Sequence, residues 1–171
     1  MPSTFAPLAG LRVIELARIL AGPWIGQTLA DLGADVIKVE APEGDDTRRW
    51  PPFHGDNGTV FLSCNRNKRS IALDLKNRRG RDAFLALARD ADAVVESFRP
   101  GVVSALGVDY AAIAAINPRI VYVSISGYGQ TGPRAHLAGH DINSLGYAGV
   151  LAQIGARAGP PVLANLQIAD L

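Results

Sequence analysis

The first 42 residues alternate between apolar runs and a helical segment, and this alternation limits the fold more than any other feature of the chain. The segments LRVIELA (11–17) and ADVIKVEAP (34–42) are short, apolar and rich in β-branched residues, which predicts two strands. Between them, GPWIGQTLADLG (22–33) has apolar residues at helical spacing, with Pro23 near its start and Gly33 as a stop, which predicts a helix. The two strands of such a unit are parallel, and the crossover between them is right-handed.

The same alternation continues through the rest of the chain. We predict further strands at 70–75, 92–98 and 119–129, and helices at 79–91, near 100–106, at 110–117 and at 141–154. The segment 43–65 is polar and turn-forming, so we predict a long loop with room for one short strand at 59–63. The pattern as a whole predicts an α/β fold, a parallel sheet covered by helices on both faces. Ligands of such sheets bind at the carboxyl ends of the strands, which here are the segments after residues 17, 41, 75, 98 and 126.

Length and composition fit one compact domain, because 171 residues with 48% hydrophobic side chains are enough for a buried core. Seventeen basic and sixteen acidic residues give a net charge of +1, so we expect no nucleic-acid partner and no attraction to an anionic membrane. No run of 18 apolar residues occurs, which argues against membrane insertion. The single Cys64 and the lack of a signal peptide predict a cytoplasmic location. The apolar ending ANLQIADL predicts a truncated chain.

The sequence lacks the signatures of several common cofactor sites. Neither G-x-G-x-x-G nor G-x-x-x-x-G-K-[ST] occurs, so dinucleotide and P-loop nucleotide sites lack their fingerprints. One cysteine and three histidines without metal spacing argue against a zinc site.

Basic residues are concentrated in the segment NRNKRSIALDLKNRRGR (65–81), which holds seven of the seventeen. Lys76 follows a predicted strand directly, and Arg99 follows another, so both lie where an anionic ligand is expected. The alternative is a solvated loop and helix face without a ligand.

The segment AGHDINSLGYAG (138–149) places His140 and Asp141 at the start of a predicted helix. The positive end of a helix dipole favours a neutral imidazole, which suits His140 as a base near neutral pH. The alternative is that Asp141 or Asn143 is only a helix cap and His140 a bystander. Asp170, near the end of an apolar run, is equally open to a role as a cap.

Six ordered segments together resemble the N-terminal half of the CaiB/BaiF-type enzymes, the family III CoA transferases and their α-methylacyl-CoA racemase relatives. The segments are LAGLRVIELARILAGPWIGQTLADLGADVIKVEAPEGDDTR, NRNKRSIALDLK, ESFRPGVVSALGVDY, ISGYGQTGP, AGHDINSLGYAG and QIADL. The resemblance implies that residues 1–171 are the N-terminal part of a Rossmann-like CoA-binding domain. The resemblance implies that the C-terminal part of that domain and a smaller domain lie outside this chain. It also implies an interlocked homodimer, with a CoA thioester as substrate and no prosthetic group.

The resemblance further implies a set of CoA-binding residues. Lys38 and Lys76 are expected near the nucleotide phosphates. The remaining expected contacts are Arg18, Ile19, Leu73, Leu75, Ser97, Phe98 and Arg99. One position departs from the family pattern, because many relatives have a basic residue where this chain has Ala105.

For catalysis the resemblance implies two alternatives that share Asp170. In the racemases the histidine matching His140 pairs with this aspartate to remove and return the proton beside the thioester carbonyl. In the transferases the aspartate is a nucleophile that passes CoA between carboxylates through an anhydride and an aspartyl thioester. AGHDIN matches the racemase version and favours inversion of a 2-methyl-branched acyl-CoA of lipid metabolism, although racemases usually carry asparagine at Leu166. A third possibility is that the chain is an inactive CoA-binding fragment.

Overall fold

The computed structural model describes residues 6–170, which form a parallel sheet with helices on both faces. The helices are α1 (Ala21–Asp31), α2 (Thr59–Cys64), α3 (Arg78–Arg89), α4 (Val102–Leu106), α5 (Tyr110–Ala114) and α6 (Asp141–Tyr147). The strands are β1 (Arg12–Leu16), β2 (Asp35–Glu40), β3 (Phe53–His54), β4 (Asn57–Gly58), β5 (Arg69–Ala72), β6 (Ala93–Glu96) and β7 (Val121–Ser124).

Five of the strands form one sheet in the order β5-β2-β1-β6-β7, and each neighbouring pair is parallel. β3 and β4 form a separate antiparallel hairpin. The chain moves outward from β1 to β2 and β5, then returns to the other side of β1 for β6 and β7. The strand order therefore reverses between β1 and β6, and the carboxyl side of such a reversal point is where open α/β sheets bind ligands.

Apolar side chains of the strands alternate between two cores, one on each face of the sheet. Ile14 belongs to the core beneath α3 and α5, which includes Phe84 and Ile113. Val13 and Val36 belong to the core beneath α1. The three central strands β1, β2 and β6 are buried over nearly their whole length, and this explains the short β-branched apolar runs by which they were predictable from the sequence. The edge strands β5 and β7 are mostly exposed.

Two predicted elements differ from the structure. Residues 59–63 do not form a strand but lie in helix α2, where Phe61 and Cys64 are buried at helical spacing. Their β-branched and apolar composition was misleading because packing, and not local propensity, decides so short a segment. The helix predicted over 141–154 ends at Tyr147, since Gly149 adopts a left-handed conformation (φ 74°) and a 3₁₀ helix follows at Val150–Gln153.

Within residues 6–170, no helix is both long enough and apolar enough to cross a membrane.

Candidate functional site

A cavity of about 560 Å³ opens at the carboxyl edge of the sheet. Its walls come from the segments that follow β1, β2, β5 and β6, together with α4. Six of the residues predicted from the resemblance line it: Arg18, Lys38, Leu73, Leu75, Lys76 and Phe98. Ile19, Ser97 and Arg99 lie outside the lining. The site that strand order predicts and the largest part of the predicted residue set therefore coincide.

The loop between β1 and α1 has a constrained backbone. Ile19 adopts a left-handed conformation (φ 70°), which is rare for a β-branched residue. The backbone N–H of Arg18 donates to Ser97 Oγ at 3.0 Å, and that of Ile19 approaches Asp45 Oδ2 at 3.4 Å. The Cys64 thiol lies 3.7 Å from the Ile19 carbonyl oxygen. Ser97 through its hydroxyl and Ile19 through its backbone thus shape the cavity, although neither residue lines it.

Four charged side chains form a buried charge cluster behind this loop, made of Glu15, Lys38, Asp45 and Lys68. Lys38 Nζ lies 2.8 Å from Glu15 Oε1 and 3.0 Å from Asp45 Oδ2, and Lys68 Nζ lies 2.6 Å from Glu15 Oε2. Two carboxylates balance two ammonium groups, which is the condition under which buried charges are tolerated.

The charges of the buried charge cluster shift one another's protonation. Burial alone lowers the pKa of Lys38, but the nearby carboxylates of Glu15 and Asp45 outweigh it and raise that pKa. Burial likewise raises the pKa of Asp45, yet Lys38 and the Thr47 hydrogen bonds hold it below its usual range. For Lys68 burial dominates over Glu15 and lowers the pKa.

The cations that face the mouth of the cavity are exposed ones. Lys76 follows β5 at the rim, and its backbone N–H donates to Asp74 Oδ1 at 3.0 Å. Arg18 forms an ion pair with Asp46, and Arg49 Nη2 contacts the other oxygen of that carboxylate at 3.2 Å. The sequence analysis did not predict Arg49 as a site residue, because nothing in the segment 43–65 indicated that a 3₁₀ turn (Asp46–Arg49) folds back over β2. On α4 the lining residues are Val102 and Leu106, so Ala105 supplies no cation there.

The second part of the site lies after β7, the strand next to β6. Gly127 and Gly139 touch so closely that a Cβ on either would lie 2.8 Å from the Cα of the other. This contact holds the start of α6 against the carboxyl end of the sheet. The His140 backbone N–H donates to Asn143 Oδ1 at 3.1 Å, and the Asp141 carboxylate accepts from the Ala169 N–H at 2.6 Å.

The hydrogen bond to Ala169 brings Asp170 to the beginning of α6. Burial and the neighbouring Asp141 carboxylate raise the pKa of Asp170, and His140 partly opposes them. The structure therefore places Asp170 near enough to His140 and Asp141 for their charges to act on its pKa. Asp141 also tethers the segment that carries Asp170. Asp141 is not a simple cap, because its carboxylate binds a distant backbone N–H instead of one in its own helix.

The two parts of the site lie along one edge of the sheet. β2, beside the cavity, and β7, beside His140, are three strand spacings apart, or roughly 14 Å. An elongated ligand with an anionic end and a reactive end fits this layout. Among residues 6–170, no group of three or more His, Cys, Asp or Glu side chains is arranged to hold a metal ion.

Comparison with known proteins adds the family context. The family model for CoA-transferase family III matches residues 8–171. A succinate–glutarate CoA-transferase of Agrobacterium fabrum is 48% identical over 179 residues, covering 100% of this chain and 45% of that protein. The succinyl-CoA:glutarate CoA-transferase of Homo sapiens is 46% identical over 167 residues, covering 96% of this chain and 38% of that protein.

The same similarity holds in three dimensions. The crystal structure of a CAIB/BAIF family protein from Brucella suis superposes with a TM-score of 0.92 at 48% identity, covering 96% of this chain and 45% of that one. The chain thus spans less than half the length of the relatives it matches.

Proposed function

This chain belongs to CoA-transferase family III, and from that membership we propose that it carries the CoA-binding edge and the nucleophile of an enzyme that transfers CoA between short dicarboxylates. The observation that carries the proposal is the position of Asp170 beside His140 and Asp141, on the same sheet edge as the cavity. Support for the substrate class comes from relatives at 46–48% identity that are named for succinate and glutarate.

In the proposed reaction Asp170 is the nucleophile. Its carboxylate attacks the thioester carbonyl, the CoA thiolate leaves, and a mixed anhydride forms. The thiolate then attacks the Asp170 acyl carbon, which releases the first carboxylate and leaves an aspartyl thioester. An acceptor carboxylate repeats these two steps in reverse, so that CoA leaves on the acceptor and Asp170 is restored. A raised pKa makes Asp170 a stronger nucleophile once it is ionised.

The cavity is proposed to hold the nucleotide end of CoA. Lys76, Arg18 and Arg49 are the cations at its mouth, and phosphate oxygens are natural partners for such groups. Leu73, Leu75 and Phe98 supply an apolar wall. Arg99 lies outside the lining and is proposed only as a peripheral contact.

Racemisation of a 2-methylacyl-CoA is the second candidate. It is favoured by the proximity of His140 to Asp170, because an acid/base pair of this kind is what inversion at the α-carbon needs. The relatives described above are named as transferases, and for this reason we rank transfer first.

One experiment separates the two reactions. The protein from the complete reading frame that contains this chain is incubated in heavy water with succinyl-CoA and glutarate, and separately with a chiral 2-methylacyl-CoA. If the protein transfers CoA, glutaryl-CoA should form. When glutarate is withheld, a CoA adduct should be detected on the peptide that contains Asp170. Asp170→Asn should abolish both, whereas His140→Ala should leave transfer measurable. Deuterium at the α-carbon without glutaryl-CoA would instead assign His140 and Asp170 to proton transfer.

The remaining parts of the proposal concern assembly. We propose that residues 1–171 are the N-terminal part of a larger CoA-binding domain and that the complete protein is an interlocked homodimer, which sedimentation and mass measurement test directly. A cytoplasmic location stays a prediction, as does the possibility that the isolated chain binds CoA without turning it over.

A further inference from the structure

Lys38 lines the cavity wall, and the resemblance implied a contact between this lysine and a CoA phosphate. The structure assigns it another task. We infer that Lys38 is a positioning residue, which joins the loop after β1 to the segment after β2 and so fixes the mouth of the cavity. This inference deepens the proposed function, on which its kinetic test rests.

The hydrogen-bonding capacity of Lys38 is fully used inside the protein. Its ammonium group has three N–H donors. Nζ lies 2.8 Å from Glu15 Oε1, 2.9 Å from the Ala17 carbonyl oxygen and 3.0 Å from Asp45 Oδ2. The residue is 1% exposed. A phosphate would have to displace one of these partners and leave a buried carboxylate or carbonyl without its donor.

The partners of Lys38 belong to the two segments that form the cavity mouth. Ala17 immediately precedes Arg18 and the left-handed Ile19. Asp45 begins the 3₁₀ turn that carries Arg49, and its carboxylate also accepts from the Thr47 N–H at 3.0 Å and the Thr47 hydroxyl at 2.7 Å. Lys38 therefore holds both segments at once, and the unusual backbone of Ile19 is kept in place by the same carboxylate that Lys38 binds.

The other members of the buried charge cluster that hold Lys38 in place are Glu15 and Lys68. Glu15 is fully buried, and its second oxygen pairs with Lys68, which also donates to the Pro23 carbonyl at 2.6 Å and to Asn65 Oδ1 at 2.8 Å. Pro23 lies in the first turn of α1. The cluster thus connects β1, β2 and α1 to the segments around the cavity, which is the arrangement expected if Lys38 has a positioning role.

The test compares two thioesters in the protein from the complete reading frame. Succinyl-CoA carries the phosphates, and succinyl-pantetheine carries none. A positioning role predicts that Lys38→Met lowers kcat/KM for succinyl-CoA by on the order of tenfold, because Arg18 and Arg49 lose their positions, and that Asp45→Asn lowers it by a similar factor. Succinyl-pantetheine has no phosphate for these cations to bind, so its kcat/KM should change little in either variant, which controls for a folding defect. Lys76→Met is the comparison variant and should lower kcat/KM for succinyl-CoA alone. A direct contact between Lys38 and a phosphate predicts no loss in Asp45→Asn, because removing a carboxylate beside Lys38 does not weaken phosphate binding. A loss that is confined to Lys38→Met would therefore overturn the inference.

A double-mutant cycle identifies the contact through which Lys38 acts. The charge-balanced pair Lys38→Met with Asp45→Asn should lower kcat/KM for succinyl-CoA no further than Lys38→Met does alone. Additive losses would mean that the two residues act separately, which contradicts the inference. The double variant also guards against a folding defect, because it leaves no buried carboxylate at position 45 without a cation beside it.

Amide hydrogen exchange gives a test that needs no ligand. Exchange of the backbone amides at 18–20 and 45–47 should be faster in Lys38→Met and in Asp45→Asn than in the wild-type protein. Arg119→Met is the control and should leave this exchange unchanged, because Arg119 is exposed and lies just before β7, at the edge of the sheet away from β2. Unchanged exchange in Lys38→Met overturns the inference. If the wild-type protein turns over neither thioester, the proposed function fails while this exchange result still decides the role of Lys38.

Discussion

The buried carboxylate of Glu40, the last residue of β2, accepts four hydrogen bonds. Its Oε2 accepts from Arg48 Nε at 2.7 Å and from the Asp45 N–H at 2.8 Å, and its Oε1 accepts from Arg48 Nη2 at 2.7 Å and from the Ser70 hydroxyl at 2.6 Å. Burial alone would raise the pKa of Glu40, but these bonds, led by Arg48 and Ser70, outweigh it and lower that pKa to about 2. Through these hydrogen bonds, Glu40 fixes the segment that carries Asp45 and Arg48 to the end of β2.

We expect Glu40→Gln to destabilise the protein at neutral pH. A fall in the pKa from 4.5 to about 2 corresponds to roughly 3 kcal/mol in favour of the folded state. Because the folded pKa is the lower one, this stabilisation is complete above about pH 4.5 and is lost as the pH falls towards 2. Urea unfolding at a series of pH values measures it, with the exposed Glu43→Gln as control. A difference between Glu40→Gln and wild type that does not shrink with acid would contradict the assignment.

Asp141 offers a second residue-level prediction, on the proposed activity. Asp141→Asn keeps an oxygen that can accept from the Ala169 N–H but removes the negative charge beside Asp170. The pKa of Asp170, which burial and Asp141 raise, should fall, so the acid limb of the kcat/KM profile should move to lower pH. Asp141→Ala removes the acceptor as well and should lower kcat. An unmoved acid limb in Asp141→Asn would show that Asp141 does not influence the nucleophile.

The sequence predicted individual residues unevenly. Lys76 was predictable because it follows a strand, and strand ends meet at one edge. Arg99 was predicted on the same ground and lies outside the cavity lining, whereas Phe98 was expected only from the resemblance. Lys38 is an internal residue of β2, and its partners Glu15 and Asp45 are 23 and 7 positions away in the chain, so only the fold reveals that its donors are all occupied. The tether from Asp141 to Ala169 is likewise invisible in the sequence, because it joins segments 28 positions apart.

Helix α3 begins with a side-chain cap that also places Lys76. The Gly80 N–H donates to Asn77 Oδ1 at 2.8 Å, and Asn77 Nδ2 donates to Asp74 Oδ2 at 2.9 Å. Gly80 is required there, since a Cβ would lie 2.0 Å from the Asp74 carbonyl oxygen. The turn from β5 into α3 is therefore tightly specified, and Lys76 lies within it.

We expect Asn77→Ala to lower the free energy of unfolding by about 1 kcal/mol, the usual effect of removing such a cap. Asn77→Asp keeps the acceptor and should retain most of the stability. Denaturant titration followed by circular dichroism measures both. Equal stability of Asn77→Ala and wild type would mean that solvent replaces the cap without cost.

Among the elements, the strands of the sheet and the short helices α4 and α5 were predictable, and helix α2 was not. β1 and β2 read correctly because each contains a short β-branched apolar run and all but the first residue of each strand is buried. Helix α2 was read as a strand, since six residues with a β-branched start carry too little periodicity to decide. Its helical form follows from contacts with α1 and with the 3₁₀ turn, which a local pattern does not contain.

On the scale of the whole molecule, the strand order explains why the candidate site is extended. The reversal between β1 and β6 opens the cavity in the middle of the carboxyl edge, and β7 carries the edge on towards His140 and Asp170. One end of the site is rich in cations and the other holds the candidate nucleophile. A CoA thioester has the same polarity, with phosphates at one end and the acyl group at the other.

The last third of the chain carries large apolar side chains that residues 6–170 do not cover. Tyr147 is 61% exposed and Leu163 is 62% exposed. Val121, Leu166 and Ile168 are also more than half exposed. Exposed apolar side chains in this number favour association in water.

We therefore expect the 171-residue chain, expressed by itself, to self-associate and to bind a hydrophobic dye. Leu163→Glu combined with Leu166→Glu should reduce both, because charges desolvate poorly in an apolar contact. Phe53→Glu, which changes an equally exposed apolar residue in the separate hairpin, is the matched control and should have little effect. Sedimentation velocity across a concentration series measures the association. A chain that stays monomeric and dye-free would mean that its own residues cover this surface. The protein from the complete reading frame, where the proposed domain is whole, should bind little dye and associate no further than the proposed dimer.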